Sequence, residues 1–187
     1  TSFSKIFLVW LIVYAKRRYI NVDSFSITNA ERILFDVVFA LQTNLKLKSD
    51  FGELYNSKRD SNEVTQKRIN NFITNNGVRV EAHSTGKSVR GRLHGNQRPD
   101  FLLLDDFETN DTKDSKAHTL GVIEHINELK SGLDSQAKII YLGNYITESG
   151  SVQTLIDRAK TDHRLRVRIV PVEKDGKPTW DSKYAMT

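Results

Sequence analysis

The sequence contains no cysteine, which excludes disulfide scaffolds, thiolate metal centres and cysteine nucleophiles together. A reducing compartment is thereby permitted. Proline is scarce, with 3 residues in 187, and no proline-rich linker, internal repeat or low-complexity tract divides the chain. Long apolar runs are also missing: the longest, Ile6 to Tyr14, is bounded by Lys5 and Lys16 and falls well short of the ~20 residues that span a bilayer. It reads as a buried helix. No signal-peptide pattern of basic start, apolar stretch and small-residue cleavage site precedes Lys16-Arg17-Arg18, and the opening Thr1-Ser2 without an initiator methionine fits a processed chain or an excised fragment.

What is present is a mixture of 38% apolar and 27% charged residues, the composition of a folded domain rather than of a disordered chain. The length suits one domain, 1–187, with a sizeable core. A net charge of +5 allows a polyanionic partner without requiring one.

Along the chain, Ser2 to Arg17 is apolar enough for a core helix, and Tyr19 to Ser24 then alternates as a short strand with Ile20 and Val22 on one face. Thr28 or Asn29 is the expected cap of a second helix, whose Ile33, Leu34, Val37, Val38 and Leu41 fall at helical spacing. The polar stretch from Lys46 to Gln66 reads as an irregular surface excursion. Arg68 to Ile73 and Val78 to His83 form a predicted hairpin, since Asn75-Asn76-Gly77 between them tolerates positive φ. From Phe101 the pattern alternates buried strand, helix and strand: FLLLDD, then Thr119 to Leu129, then KIIYLGN. That alternation predicts a mainly parallel sheet covered on both faces, with ligands at the carboxyl ends of its strands. A helix from Val152 to Lys160 and a strand from Leu165 to Val172 complete the expected elements, and residues 174–187 read as the domain's exit.

Phe101-Leu102-Leu103-Leu104-Asp105-Asp106-Phe107-Glu108 has the form of a Walker B element, four apolar residues that bury a strand and acids at its tip. A nucleotide hydrolase needs one carboxylate there to hold Mg²⁺ and a second to orient or deprotonate the attacking water. Asp105 fits the first role; Asp106 or Glu108 fits the second. Acids that merely end a strand and begin a loop give the same letters. At the end of KIIYLGN, Asn144 is a candidate γ-phosphate sensor, with Gly143 allowing close backbone approach. Arg90, in Ser88-Val89-Arg90-Gly91-Arg92, is the candidate for stabilising charge on a transferring phosphate, with Arg92 and Arg98 as competitors.

The segment VRGRLHGNQRPDFLLLDDFE resembles that of the large terminase subunits of tailed bacteriophages, in which an arginine-glycine loop leads through Arg-Pro-Asp into Walker B. KIIYLGN is similar to their coupling motif, and VPVEKDGKPTW to the close of their ATPase domain. The matches are ordered and cover roughly the second half of the chain. The resemblance implies a RecA-like P-loop NTPase: an α/β three-layer sandwich with a mainly parallel sheet and an antiparallel hairpin. It also implies ATP and Mg²⁺ as cofactors, double-stranded DNA, a portal protein and a small terminase subunit as partners, a homo-oligomeric ring when assembled, and a host-cytoplasmic setting without a membrane. A nuclease domain would follow residues 174–187. Asp105 takes the metal position, Asp106 the catalytic carboxylate, Asn144 the coupling motif and Arg90 the arginine position, although the family often has Glu where Asp106 stands.

A phosphate-binding loop needs GxxxxGK[ST] opening a helix. Gly86-Lys87-Ser88 has the last three letters, but Glu81 occupies the place of the first glycine and the surroundings are those of a hairpin. In the family that loop runs into a long apolar helix, so Thr1 or Ser2 is expected to be its last residue, with the lysine upstream and the present chain inactive alone. The main competing reading is a metal-dependent nuclease built on Asp100, Glu128 and Lys130, which requires the acids on neighbouring strands. Glu128 instead shares a helical pattern with Val122, Ile123, Ile126 and Leu129. Another P-loop translocase or helicase shares the same core. A DNA-binding module would use the basic run of Arg158, Lys160, His163, Arg164, Arg166 and Arg168, which also suits a solvated face. The five histidines show no metal-ligand spacing and suit structural or surface positions.

Overall fold

A computed structural model describes residues 2–55, 69–84, 93–94, 96–108 and 115–179. Its centre is a five-stranded sheet in the order β2-β3-β1-β4-β5, where β1 is Tyr19–Ser24, β2 Asn71–Ile73, β3 Arg79–Ser84, β4 Phe101–Asp105 and β5 Lys138–Leu142. Neighbouring strands are parallel except β2, which runs antiparallel to β3 at one edge. The expected hairpin is therefore present, but only Gly77 of its turn adopts positive φ, at 83°.

Pleating sorts the side chains by parity. Ile20, Val22, Val80, Ala82, Phe101 and Leu103 point to one face, where they meet Leu8, Leu11 and Ile12 of α1 (Ser2–Val13) and Ile33, Leu34, Val37, Val38 and Leu41 of α2 (Ile27–Thr43). Leu102 and Leu104 point to the other, against Val122, Ile126 and Leu129 of α4 (Lys116–Gly132). Each such side chain contributes about 1.5–3 kcal/mol when buried, so the two apolar pairs of β4, Phe101 with Leu103 and Leu102 with Leu104, serve both layers. This is an α/β fold with a mostly parallel sheet and helices on both faces.

Three helix starts explain themselves locally. Ser26, rather than the expected Thr28 or Asn29, caps α2: it is extended at φ −121° and its hydroxyl accepts the Asn29 N–H. Ser26→Ala is expected to lose about 1 kcal/mol, measurable by urea unfolding. Asn44 caps α3 (Leu45–Phe51), a short helix that sequence reading assigned to irregular chain, and Ser115 caps α4. After α5 (Ser151–Ala159), the predicted strand Leu165–Val172 does not form. Its alternation of apolar and basic residues is strand-like, yet no strand among the described residues pairs with it, and Ile169 and Val170 are 68% and 77% exposed. A small hairpin, β6 (Glu173–Lys174) and β7 (Lys177–Pro178), follows it. Among the described residues no helix is long and apolar enough to cross a membrane.

Candidate functional site

β4 ends on Asp105, which is buried and aligned with Ser24 of β1 and Leu142 of β5. All three strands are parallel there, so Asp105 stands at the carboxyl edge of the sheet, the expected place for a ligand in such a fold. The Ser4 hydroxyl of α1 donates to Asp105 Oδ2 at 3.1 Å. Ser4 is fully buried on the same helical stripe as Leu8, Leu11 and Ile12. A hydroxyl in a core stripe is the signal that sequence reading passed over, having placed Thr1 and Ser2 at the site. Ser2 opens α1 and is exposed, whereas Thr1 lies outside the described residues. Ser4→Ala is expected to lower stability by about 1 kcal/mol, read from thermal unfolding.

Asp106 leaves the strand in the left-handed region, at φ 52°, which aspartate tolerates better than most residues. Its N–H still donates to Leu142 O at 3.2 Å. Its carboxyl is pushed above the ordinary aspartate value by burial and by the negative charge of Asp105. Two adjacent acids under mutual repulsion, one of them on unusual backbone, form an arrangement that a bound cation would relieve. The donor set, two carboxylates and a hydroxyl, suits a hard cation such as Mg²⁺, which keeps most of its waters and takes one or two protein carboxylates. Among the described residues no cluster of three or more His, Asp or Glu forms a protein-only metal cage.

Glu108, the other candidate for the catalytic carboxylate, turns elsewhere: its Oε1 accepts the Ser151 N–H at the start of α5. Gly143 was expected to admit a phosphate, but a side chain there would meet the Tyr141 ring at 2.8 Å and Val152 at 3.0 Å. Its smallness thus serves the packing of α5 on β5. Asn144 is exposed just past β5, and β5 itself is a half-buried edge strand rather than the buried one expected. Arg90 and Arg92 lie outside the described residues, as does Gly86-Lys87-Ser88; Arg98 is exposed ahead of β4.

The nuclease constellation does not assemble. Asp100 sits at the amino end of β4, where its carboxylate accepts the backbone N–H groups of Arg18 at 3.0 Å and Tyr19 at 2.9 Å and fixes the entry of β1. Glu128 and Lys130 belong to α4. In the basic run, Lys160 pairs with Asp157 at 2.6 Å and Arg164 with Asp162 at 2.8 Å, while Arg166 and Arg168 are exposed.

Sequence reading also missed a buried polar row. Tyr19, Asn21 and Asp23 of β1 lie beside Arg79, Glu81 and His83 of β3, and all except Arg79 are buried. His125 of α4 reaches Asp23 Oδ2 at 3.1 Å. Glu81 accepts the Tyr19 hydroxyl and pairs with Arg79, with His83 Nε2 at 3.6 Å. Burial alone would raise the Glu81 carboxyl, but His83, Arg79 and Tyr19 together hold it well below the usual carboxylate range.

No protein-family model matches this chain. No curated protein matches it significantly either.

Proposed function

We propose that the end of β4 carries the metal-binding Asp105 and the catalytic Asp106 of a RecA-like P-loop ATPase, and that the chain is the ATPase motor domain of a phage large terminase subunit, driving double-stranded DNA into a procapsid. The observation that carries the reading is the Ser4–Asp105 contact, 3.1 Å long, at the carboxyl edge of the parallel sheet. It brings the first turn of α1 beside the acids, and a strand–loop–helix phosphate site delivers its phosphates at the amino end of such a helix. Among the described residues no strand covers the outer edge of β5, where Ile139 to Leu142 are half buried. The ordered resemblance from Val89 through Trp180 supplies the choice of terminase among P-loop motors.

In this reading Asp105 and Ser4 hold the cation's side of the site. Mg²⁺ with ATP would supply charge neutralisation at the transferred phosphate. Asp106, its carboxyl made more basic by burial and by Asp105, orients the attacking water and accepts its proton.

The test compares ATP hydrolysis with Mg²⁺ for the chain extended through its native upstream sequence, for the present 187 residues, and for an Asp105→Asn version of the longer form. Hydrolysis by the longer form alone is the expected result. Mg²⁺-dependent DNA cutting that requires Asp100, Glu128 and Lys130, with no hydrolysis in any form, would sink the proposal.

A further inference from the structure

The helix α5 differs from α2, α3 and α4 in how it begins. Those three are capped by the side chain of their own preceding residue, Ser26, Asn44 or Ser115; α5 starts after Gly150, which has none to offer. The missing acceptor comes from another element, because Glu108, two residues beyond Asp106, takes the Ser151 N–H. A carboxylate is the strongest side-chain acceptor for such a group and also complements the positive end of the helix.

The fit leaves no slack. A Cβ at position 150 would lie 2.8 Å from Glu108 Oε2 and 2.9 Å from Oε1, so a side chain there would displace the carboxylate from its present seat. Around this contact the neighbouring elements are tied to one another. The Tyr141 hydroxyl of β5 bonds Ser151 Oγ at 2.8 Å, Thr119 of α4 donates to Ser149 O at 3.2 Å, and His118 contacts Phe107 O at 3.1 Å. Phe107, between Asp106 and Glu108, is fully buried in the core beneath α4. The short exit of β4 is therefore anchored at Phe107 and joined to α5 at Glu108, so Asp106 cannot be re-aimed without straining one of the two.

We propose that Glu108 is a positioning residue: it couples the acidic tip of β4 to the amino end of α5, so that a divalent cation at Asp105, beside Asp106, changes the order of that helix end. The inference rests on the reading of Asp105 as a cation ligand. It gives Glu108 a role distinct from water activation and makes α5 the element that would report the state of the site to the surface.

Amide exchange on the present chain, with and without Mg²⁺, tests it. In the unaltered protein Mg²⁺ should slow exchange both at Asp105–Phe107 and at Ser151–Leu155. Glu108→Ala should speed exchange at Ser151–Leu155 roughly fivefold, the size expected for a lost helix cap. It should also abolish the Mg²⁺ response there while the response at Asp105–Phe107 persists. Glu108→Gln, which keeps an acceptor and guards against a folding defect, should recover most of both. A Mg²⁺ response at α5 that survives Glu108→Ala overturns the coupling alone. No response at Asp105–Phe107 in the unaltered protein overturns the cation site and the coupling with it.

Discussion

Glu81→Ala is expected to cost about 3 kcal/mol of folding stability near neutral pH, the low end of what removing one member of a buried ion pair costs. Glu81 is 5% exposed and receives Tyr19 and Arg79 directly, so its loss leaves a phenol and a guanidinium without their acceptor between two strands. The pH dependence has a definite sign. Its carboxyl lies below the ordinary value of 4.5 in the folded chain. The stabilisation is therefore fully present above about pH 4.5 and fades as the pH falls toward the folded value. Urea unfolding of both proteins near neutrality and at about pH 3 measures this. A cost under about 1 kcal/mol at neutral pH, or one that does not shrink on acidification, would mean that the network is not the brace between β1 and β3 described above.

Asp106→Asn is expected to act in two directions. In the proposed ATPase it should reduce hydrolysis by roughly 10²–10⁴-fold, the usual contribution of a positioned general base. It should also stabilise the fold modestly, by about 0.5 kcal/mol near neutrality, a figure kept small because the carboxyl is only half buried and screened by water. Here the sign is opposite to that of Glu81. The folded carboxyl lies above the ordinary 3.8, so ionisation opposes folding as pH rises through that raised value, and asparagine removes the penalty. The gain should vanish below about pH 4. Asparagine also tolerates the φ of 52° at this position, so the exchange introduces no backbone strain. A variant that is less stable at neutral pH, with hydrolysis intact, would contradict both halves. Loss of activity with gain of stability is the pattern of a position held for function.

Some of this was legible in the letters and some was not, for identifiable reasons. Four apolar residues followed by two acids can hardly be anything but a strand buried on both faces with its carboxyl end polar, so β4 and its tip were read correctly. α2 and α4 were equally plain, because their apolar residues keep helical spacing. β1 was found but misjudged: Ile20 and Val22 alternate with Asn21 and Asp23 as in a half-exposed strand, yet all six residues are buried. The polar partners of Tyr19 and Asp23, which are Glu81 and His125, are distant in sequence, and no local pattern announces them. The converse holds for Leu165–Val172, whose alternation is strand-like but whose pairing depends on a neighbour that the described residues do not provide. α3 was hidden in a polar stretch because its support is an Asn44 cap and a Lys46–Asp50 pair at 2.9 Å rather than a broad apolar face.

At the candidate site, the place of Asp105 and Asp106 at the end of β4 was legible from pattern. Ser4 was not legible because a single hydroxyl within the largely apolar α1 carries no motif of its own. Glu108 was legible as a carboxylate near the tip, but its engagement with α5 depends on the absence of a side chain at Gly150, which only the folded chain reveals.

In the proposed nucleotide site Asp105 holds the divalent cation, with Asp106 beside it to activate water. The most direct test is the binding of Mn²⁺, a spectroscopic substitute for Mg²⁺, to the chain extended upstream. Binding is followed by electron paramagnetic resonance with and without ATP, beside Asp105→Asn and the Glu128→Gln control on α4. The account predicts one bound Mn²⁺ whose affinity rises with ATP, falls at least tenfold in Asp105→Asn, and is unchanged in Glu128→Gln. Binding that ignores ATP, survives Asp105→Asn, or is lost with Glu128 would contradict it.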